Sequence, residues 1–255
     1  MTVPLGFSLM PLENRREVLV RLAIEAERAG HTAFYLPETW AYDTTVLLGE
    51  VAARTTRIGL GTGILGVWNR SAATIAMAAS TLDAISGGRF ALGLGASTAQ
   101  LVEGLHDVPY AAPVERMRQV LTQVRALLKG ERVPLSPGSG ARALRLNVPP
   151  APRVPIYLAG LSPETVRLAG ELADGWLPFL YPRSCLRDGV ALLARGGRAR
   201  PRPAICRASC RAFPPWSPRT APRRGRVRRG SCLSTSPRWG PSTREPSRAW
   251  DSSAK

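Results

Sequence analysis

Cysteine, histidine and long apolar runs are all scarce in this sequence, and each scarcity removes a class of protein. The four cysteines (Cys185, Cys206, Cys210, Cys232) all come late in the chain. A secreted disulfide framework spreads its cysteines through the folded part, so none is expected. Cys206 and Cys210 have no second cysteine pair at zinc-site spacing, and no metal site is expected. No apolar run reaches 18 residues, which excludes a membrane-spanning helix. Residues 1–10 carry no basic n-region and no small-residue cleavage site, so no secretory signal is expected. The expectation is a reduced, cytoplasmic protein.

Acidic residues are also scarce, but only in one place. Residues 1–195 hold 20 Lys+Arg against 16 Asp+Glu, whereas residues 196–255 hold 15 against 2. The net charge of +17 therefore belongs mainly to the last part of the chain. With 44% apolar residues in 255, the remainder is rich enough in apolar side chains to bury a core.

Up to about residue 195 two textures alternate. Short β-rich runs occupy 5–10 (LGFSLM), 32–38 (TAFYLPE), 57–65 (RIGLGTGIL), 89–95 (RFALGLG), 155–160 (PIYLAG) and 175–180 (GWLPFL). Between them, helices are predicted over 13–29, 45–54, 71–85, 114–128 and 163–173 from apolar residues at helical spacing. Ser71 is placed to cap one and Gly87-Gly88 to stop it; Ser162 caps another, with Pro163 in its first turn. Most strand runs are continuously apolar, as in a parallel sheet covered on both faces. Six strand–helix units in order admit an open doubly wound sheet or a (β/α)8 barrel. Their pace matches three quarters of a TIM-type barrel.

After residue 195 the periodicity stops. Residues 196–255 contain 14 Arg, 9 Pro and 9 Ser, and no Lys except Lys255. One reading is a disordered basic tail that holds RNA, DNA or acidic lipid by neutralising phosphates. The other is a shift of reading frame near 195–200 in a GC-rich gene, which would replace the last two strand–helix units with Arg-, Pro- and Ser-rich sequence.

Gly61-Thr62-Gly63-Ile64-Leu65-Gly66 matches the G-x-G-x-x-G fingerprint literally. A dinucleotide site needs the helix to start at those glycines. Here Val67, Trp68, Asn69 and Arg70 intervene before Ser71, and Asp83 sits inside the helix rather than after a second strand. The glycines read instead as a bulge or a close approach to a ligand.

The segment from 57–66 (RIGLGTGILG) through the 71–85 helix to 86–95 (SGGRFALGLG) resembles the luciferase-like monooxygenase family. So do 159–163 (AGLSP) and 173–176 (ADGW), and the resemblance runs over 4–195. It implies a TIM barrel that binds coenzyme F420, a deazaflavin, or FMN. Its expected chemistry is hydride transfer, or monooxygenation of paired donors with molecular oxygen. It also implies a non-prolyl cis peptide at Gly63-Ile64, backing the ring; an ordinary glycine bulge is the alternative. Gly95, Ala96 and Ser97 would receive the ribityl chain, or form a simple turn. Gly160, Leu161 and Ser162 would offer N–H groups to a phosphate at a helix start, where Ser162 capping alone is the plainer role.

Acid and base candidates are few. Glu38 ends the second strand run and is a candidate to relay protons or bind the ring's edge, against a bland role as a helix-start carboxylate. Relatives often place a histidine one residue later, where this chain has Thr39. His106, in the loop after the 89–95 strand, is the second candidate, a surface histidine being the alternative. Trp40 and Trp68 are candidates to wall the pocket. The implied partners are a small-molecule substrate and a second copy of the chain, with no membrane and with nucleic acid less favoured.

Overall fold

The computed structural model describes residues 5–9 and 13–197. The rest of the basic segment, including Cys206, Cys210 and Cys232, lies outside the described residues. In chain order the elements are β1 (Gly6–Ser8), α1 (Arg16–Arg28), β2 (Ala33–Leu36), α2 (Thr44–Arg54), β3 (Gly59–Thr62), β4 (Leu65–Gly66) and α3 (Ala72–Ser86). There follow β5 (Phe90–Gly95), α4 (Ala99–His106), α5 (Pro113–Leu128), β6 (Ile156–Ala159), α6 (Pro163–Leu172), β7 (Gly175–Leu177) and α7 (Leu186–Gly196).

Every pairing is parallel, and the strands lie in the order β1-β2-β3-β5-β6-β7, with β4 also on β5. Spatial order thus follows chain order without reversal. A doubly wound sheet changes direction part-way through its order, so this sheet is the singly wound, curled kind that TIM barrels close. Among the described residues β1 and β7 each pair with one neighbour only.

Side chains divide cleanly between the sheet's faces. Phe34, Leu60 and Phe90 lie in one register row, and Leu94 and Leu158 in another. All are buried in one core cluster with Leu19, Val51 and Ile75 of the surrounding helices. The alternate row carries Tyr35, Gly61 and Ala91, and farther along Gly93, Tyr157 and Gly175. The inner face is therefore built mostly of small residues, with two tyrosines and Leu177 of β7, and most of the bulky apolar residues lie on the helix side.

Three charged side chains staple the ends of strands to their neighbours. Arg89 of the SGGRF segment donates to the carbonyls of Ser86 (2.7 Å), Ile58 (2.7 Å), Thr55 (2.9 Å) and Ala52 (3.1 Å). Glu27 accepts from the amides of Thr56, Arg57 and Ile58 at 3.1, 2.7 and 2.8 Å. Burial works against its charge, but those amides outweigh it and hold the carboxyl below its ordinary range. Asp174 of the ADGW segment takes the Ile156 amide at 2.8 Å and Arg125 at 2.9 Å.

Ser71 and Ser162 cap α3 and α6 as their spacing predicts, and Gly87 ends α3 in the left-handed region at φ 66°. Two helices were not legible. In α4 only Val102 is buried, so eight residues carry too little apolar pattern to stand out. In α7 the buried residues are Gly189 and Leu193, and a mid-helix glycine argues against a helix from sequence alone.

Candidate functional site

Parallel strands deliver their C-terminal ends to one edge of the sheet, which is where barrel enzymes assemble their sites. Glu38 follows β2, Gly63 and Ile64 join β3 to β4, and Gly95 closes β5 with Ala96 and Ser97 after it. Gly160, Leu161 and Ser162 follow β6.

The 57–65 run divides into β3 and β4 because the ladder carries an extra residue. Gly61 pairs with Ala91 and Leu65 with Leu94, leaving residues 62–64 opposite 92–93. That is a β-bulge, and its Gly63-Ile64 peptide is cis, as the resemblance implied. Thr62 replaces the missing ladder bonds with its hydroxyl, which accepts from Gly93 N–H and donates to Gly93 C=O, both at 2.8 Å.

The end of β2 grips the bulge on both sides. Gly63 N–H donates to Leu36 C=O at 2.9 Å, and Glu38 N–H donates to Ile64 C=O at 3.0 Å. The Glu38 carboxylate, 8% exposed, accepts from Gly66 N–H (3.0 Å), Asn69 Nδ2 (3.2 Å) and Arg70 Nε (2.7 Å). Arg70 also donates to Asp43 at 2.7 Å, and Asp43 caps α2 by accepting from Thr45 and Val46 N–H. Burial opposes the Asp43 charge, but Thr45, Arg70 and Val46 prevail and hold its pKa at about 2. Burial likewise opposes the Arg70 charge, and Asp43 and Glu38 overcome it, raising that pKa further.

Gly95 lies directly beside this bulge. A Cβ there would stand 3.1 Å from the Ile64 side chain and 3.4 Å from Ala159, and Gly95 C=O accepts from Val67 N–H at 3.0 Å. Ser97 adopts φ 61°, turning the chain sharply off the rim. At the next loop Trp176 Nε1 donates to Gly160 C=O at 2.8 Å, fixing the approach to α6. Ser162 Oγ accepts from Thr165 N–H at 3.3 Å. The exposed Glu164 turns its carboxylate back to its own N–H and to Ser162, which lowers its pKa. The helix start thus already holds one anion of its own.

The structure therefore joins Glu38, Gly63, Ile64 and Gly95 in one hydrogen-bonded and packed unit, with Ala96 and Ser97 beside it and Gly160–Ser162 on the adjoining loop. His106 is the last residue of α4 and not part of a loop, because Thr98 caps a helix over those residues. Its Nε2 is buried with no hydrogen-bond partner among the described residues, so no bond ties it to Glu38 or the bulge. Trp68 is half-buried and packs on Tyr110 with centroids 4.6 Å apart and the rings tilted by 30°, whereas Trp40 is 67% exposed at the rim. Sequence reasoning missed Thr62, Asn69, Arg70 and Asp43. Asp43 before TTVLL was a readable cap; the others are set only by the fold.

The description of luciferase-like monooxygenases matches residues 6–215. The chain belongs to the luciferase-like monooxygenase family. The match runs past the composition break at 195. A Mycobacterium tuberculosis protein named as a coenzyme F420-dependent oxidoreductase is 35% identical over 186 residues, covering 67% of this chain and 52% of that protein. The chain thus spans about half the length of that relative. Among solved structures, coenzyme F420-dependent tetrahydromethanopterin reductase from Methanopyrus kandleri superposes with TM-score 0.67 at 23% identity, over 77% of this chain and 61% of that one. The oxygenating constituent of 3,6-diketocamphane monooxygenase from Pseudomonas putida, in complex with FMN, superposes with TM-score 0.65 at 16% identity, over 76% and 62%. These likenesses agree with the strand order in assigning this luciferase-like chain a TIM-barrel-type fold.

Proposed function

We propose that this luciferase-like chain is an oxidoreductase that binds coenzyme F420 at the rim formed by β3 to β6, with FMN as the second candidate. The observation that carries the proposal is the contact between Gly95 and Ile64. At that point the rim presents a half-buried aliphatic residue on a bulge, over a position with no side chain. The Ile64 side chain fills the space over Gly95, and its half-exposed outer face is what would lie against a flat ring. The F420 preference is supported by the relative named as F420-dependent, and the FMN alternative by the FMN-bound neighbour.

When bound, the ring would accept or supply a hydride; with reduced FMN it would support monooxygenation by molecular oxygen. The chain's own work is to bind, orient and exclude. Gly63 and Ile64 would back the ring. Gly95, Ala96 and Ser97 would pass the ribityl chain, small side chains leaving it room and Ser97 offering a hydroxyl. Gly160, Leu161 and Ser162 would face the phosphate at the start of α6. His106 is retained as a candidate acid or base, its unpartnered Nε2 being the supporting observation. A small-molecule substrate and a second copy of the chain are the proposed partners, and the cytoplasm the proposed compartment. No helix among the described residues is long and apolar enough to cross a membrane.

The proposed domain division keeps 1–195 as the barrel part and 196–255 as sequence read out of frame. Its support is compositional: 15 basic residues against 2 acidic ones, beginning where α7 ends. Translating the gene's other frames downstream of 195 tests it. A continuous strand–helix–strand–helix pattern supports the shift, and stops in both frames return the segment to a basic tail that binds nucleic acid. The cofactor proposal is tested by titrating the purified chain with F420 and with FMN and following fluorescence.

A further inference from the structure

We propose that Glu38 is a positioning residue that sets the ring-backing bulge through Arg70 and Asp43, and that it carries no proton in the reaction. The inference rests on the cofactor reading above and departs from the proton-relay role that the sequence suggested.

A carboxylate that relays protons needs a lone pair open to the substrate side and must tolerate neutralisation. Glu38 is poorly placed on both counts. Oε1 faces Arg70 Nε at 2.7 Å, while Oε2 faces Gly66 N–H at 3.0 Å and Asn69 Nδ2 at 3.2 Å. A carboxylate has about four lone-pair sites, and these donors fill three of them. The side chain is 8% exposed, and the Arg70 side chain that faces it is 15% exposed. A proton placed on Glu38 would leave that half-buried cation with Asp43 as its one carboxylate partner among the described residues.

The placement of these groups shows what the network does hold. Arg70 immediately precedes Ser71, the cap of α3, and Asp43 is the cap of α2. Glu38 joins both helix starts to Gly66, two residues beyond Ile64, while its own N–H holds the Ile64 carbonyl. Ile64 is thereby fixed relative to two helices and to β2. Its position over Gly95 follows from a chain of charge-assisted bonds and not from side-chain packing alone.

The test compares the wild-type chain with Glu38→Gln, Arg70→Met and the double variant. Dissociation constants for F420 and FMN are measured well below the melting transition, with the visible band of the saturated probe and amide exchange of the unloaded protein. Glu38→Gln keeps the shape and an acceptor but loses the charge that Arg70 needs. The expected result is about tenfold weaker probe binding in each single variant, with the double variant no weaker than the worse single, because one network is broken once or twice. The saturated probe's band should shift, and exchange at Gly66 and Glu38 N–H should quicken. Wild-type affinity and band in Glu38→Gln, with only a lower melting temperature, overturn the proposal. Additive losses in the double variant overturn the route through Arg70. A wild-type chain that takes neither probe defeats the cofactor reading and, with it, the purpose given to the clamp. Exchange at Gly66 then still separates a clamp that exists, seen as faster exchange in Glu38→Gln, from one that does not.

Discussion

The Thr62 hydroxyl bonds to both backbone groups of Gly93, taking its N–H and giving to its C=O at 2.8 Å each. Thr62 is fully buried, so no water can replace either bond. Thr62→Val would strand a buried donor and acceptor, at a cost of about 3 kcal/mol. Thr62→Ser should recover most of that loss. Urea unfolding of the two variants checks the difference, and equal stabilities would show that the hydroxyl is not what closes the bulge.

Arg89 directs its guanidinium to the carbonyls of Ser86, Ile58, Thr55 and Ala52. Arg89→Met should lower stability by about 3 kcal/mol, since hydrogen bonds to a charged group are stronger and the carbonyls lose their donor. Arg89→Lys should restore less than half, because an ammonium lacks the planar fork that spans those carbonyls. Denaturant midpoints measure both.

Acid should weaken the fold through carboxylates held below their ordinary range, two of which tie elements of the barrel together. Asp43 has its pKa lowered from 3.8 to about 2, and Glu27 is lowered from 4.5. A lowered folded value means that the stability each contributes is fully present above its ordinary value and disappears as pH falls through the folded one. Asp83, raised by burial, works weakly in the opposite sense. Melting temperature should therefore fall between pH 4.5 and about 2, and Asp43→Asn should flatten that limb while lowering stability at neutral pH. Thermal melts across the range would refute this if the variant kept the full acid dependence.

These stabilising groups also show where sequence reading succeeds and where it stops. The strand positions and their parallel, doubly covered character followed from continuous apolar runs with helices between them, because local periodicity reflects which face is buried. The choice of barrel over doubly wound order came from the family resemblance. The cis bulge and the rim glycines came from the resemblance, and Ser71, Gly87 and Ser162 from capping chemistry. Glu38 was singled out for its place at a strand end, yet its partners Asn69 and Arg70 lie about thirty residues away. No local pattern reports a contact of that separation. Arg89 and Asp174 belong to the segments that resemble the family, and the structure assigns them to stapling strands together. The helices α4 and α7 stayed hidden because each buries so few apolar side chains.

Glu164 occupies the helix start at which the phosphate is proposed to bind. Glu164→Gln should tighten FMN by about threefold while leaving riboflavin, which has no phosphate, unchanged. Parallel titrations check this, and an equal change for both ligands would place the phosphate elsewhere.

The account turns on whether the rim around Ile64 and Gly95 receives a redox ring. Fluorescence titration of the purified, folded chain with F420 and with FMN measures that directly. Saturable binding at a single site, tighter for F420 and weakened by Gly95→Ala with little change in circular dichroism, is the predicted result. A folded chain that changes neither probe's signal, or a Gly95→Ala variant that binds as well as the parent, would contradict it.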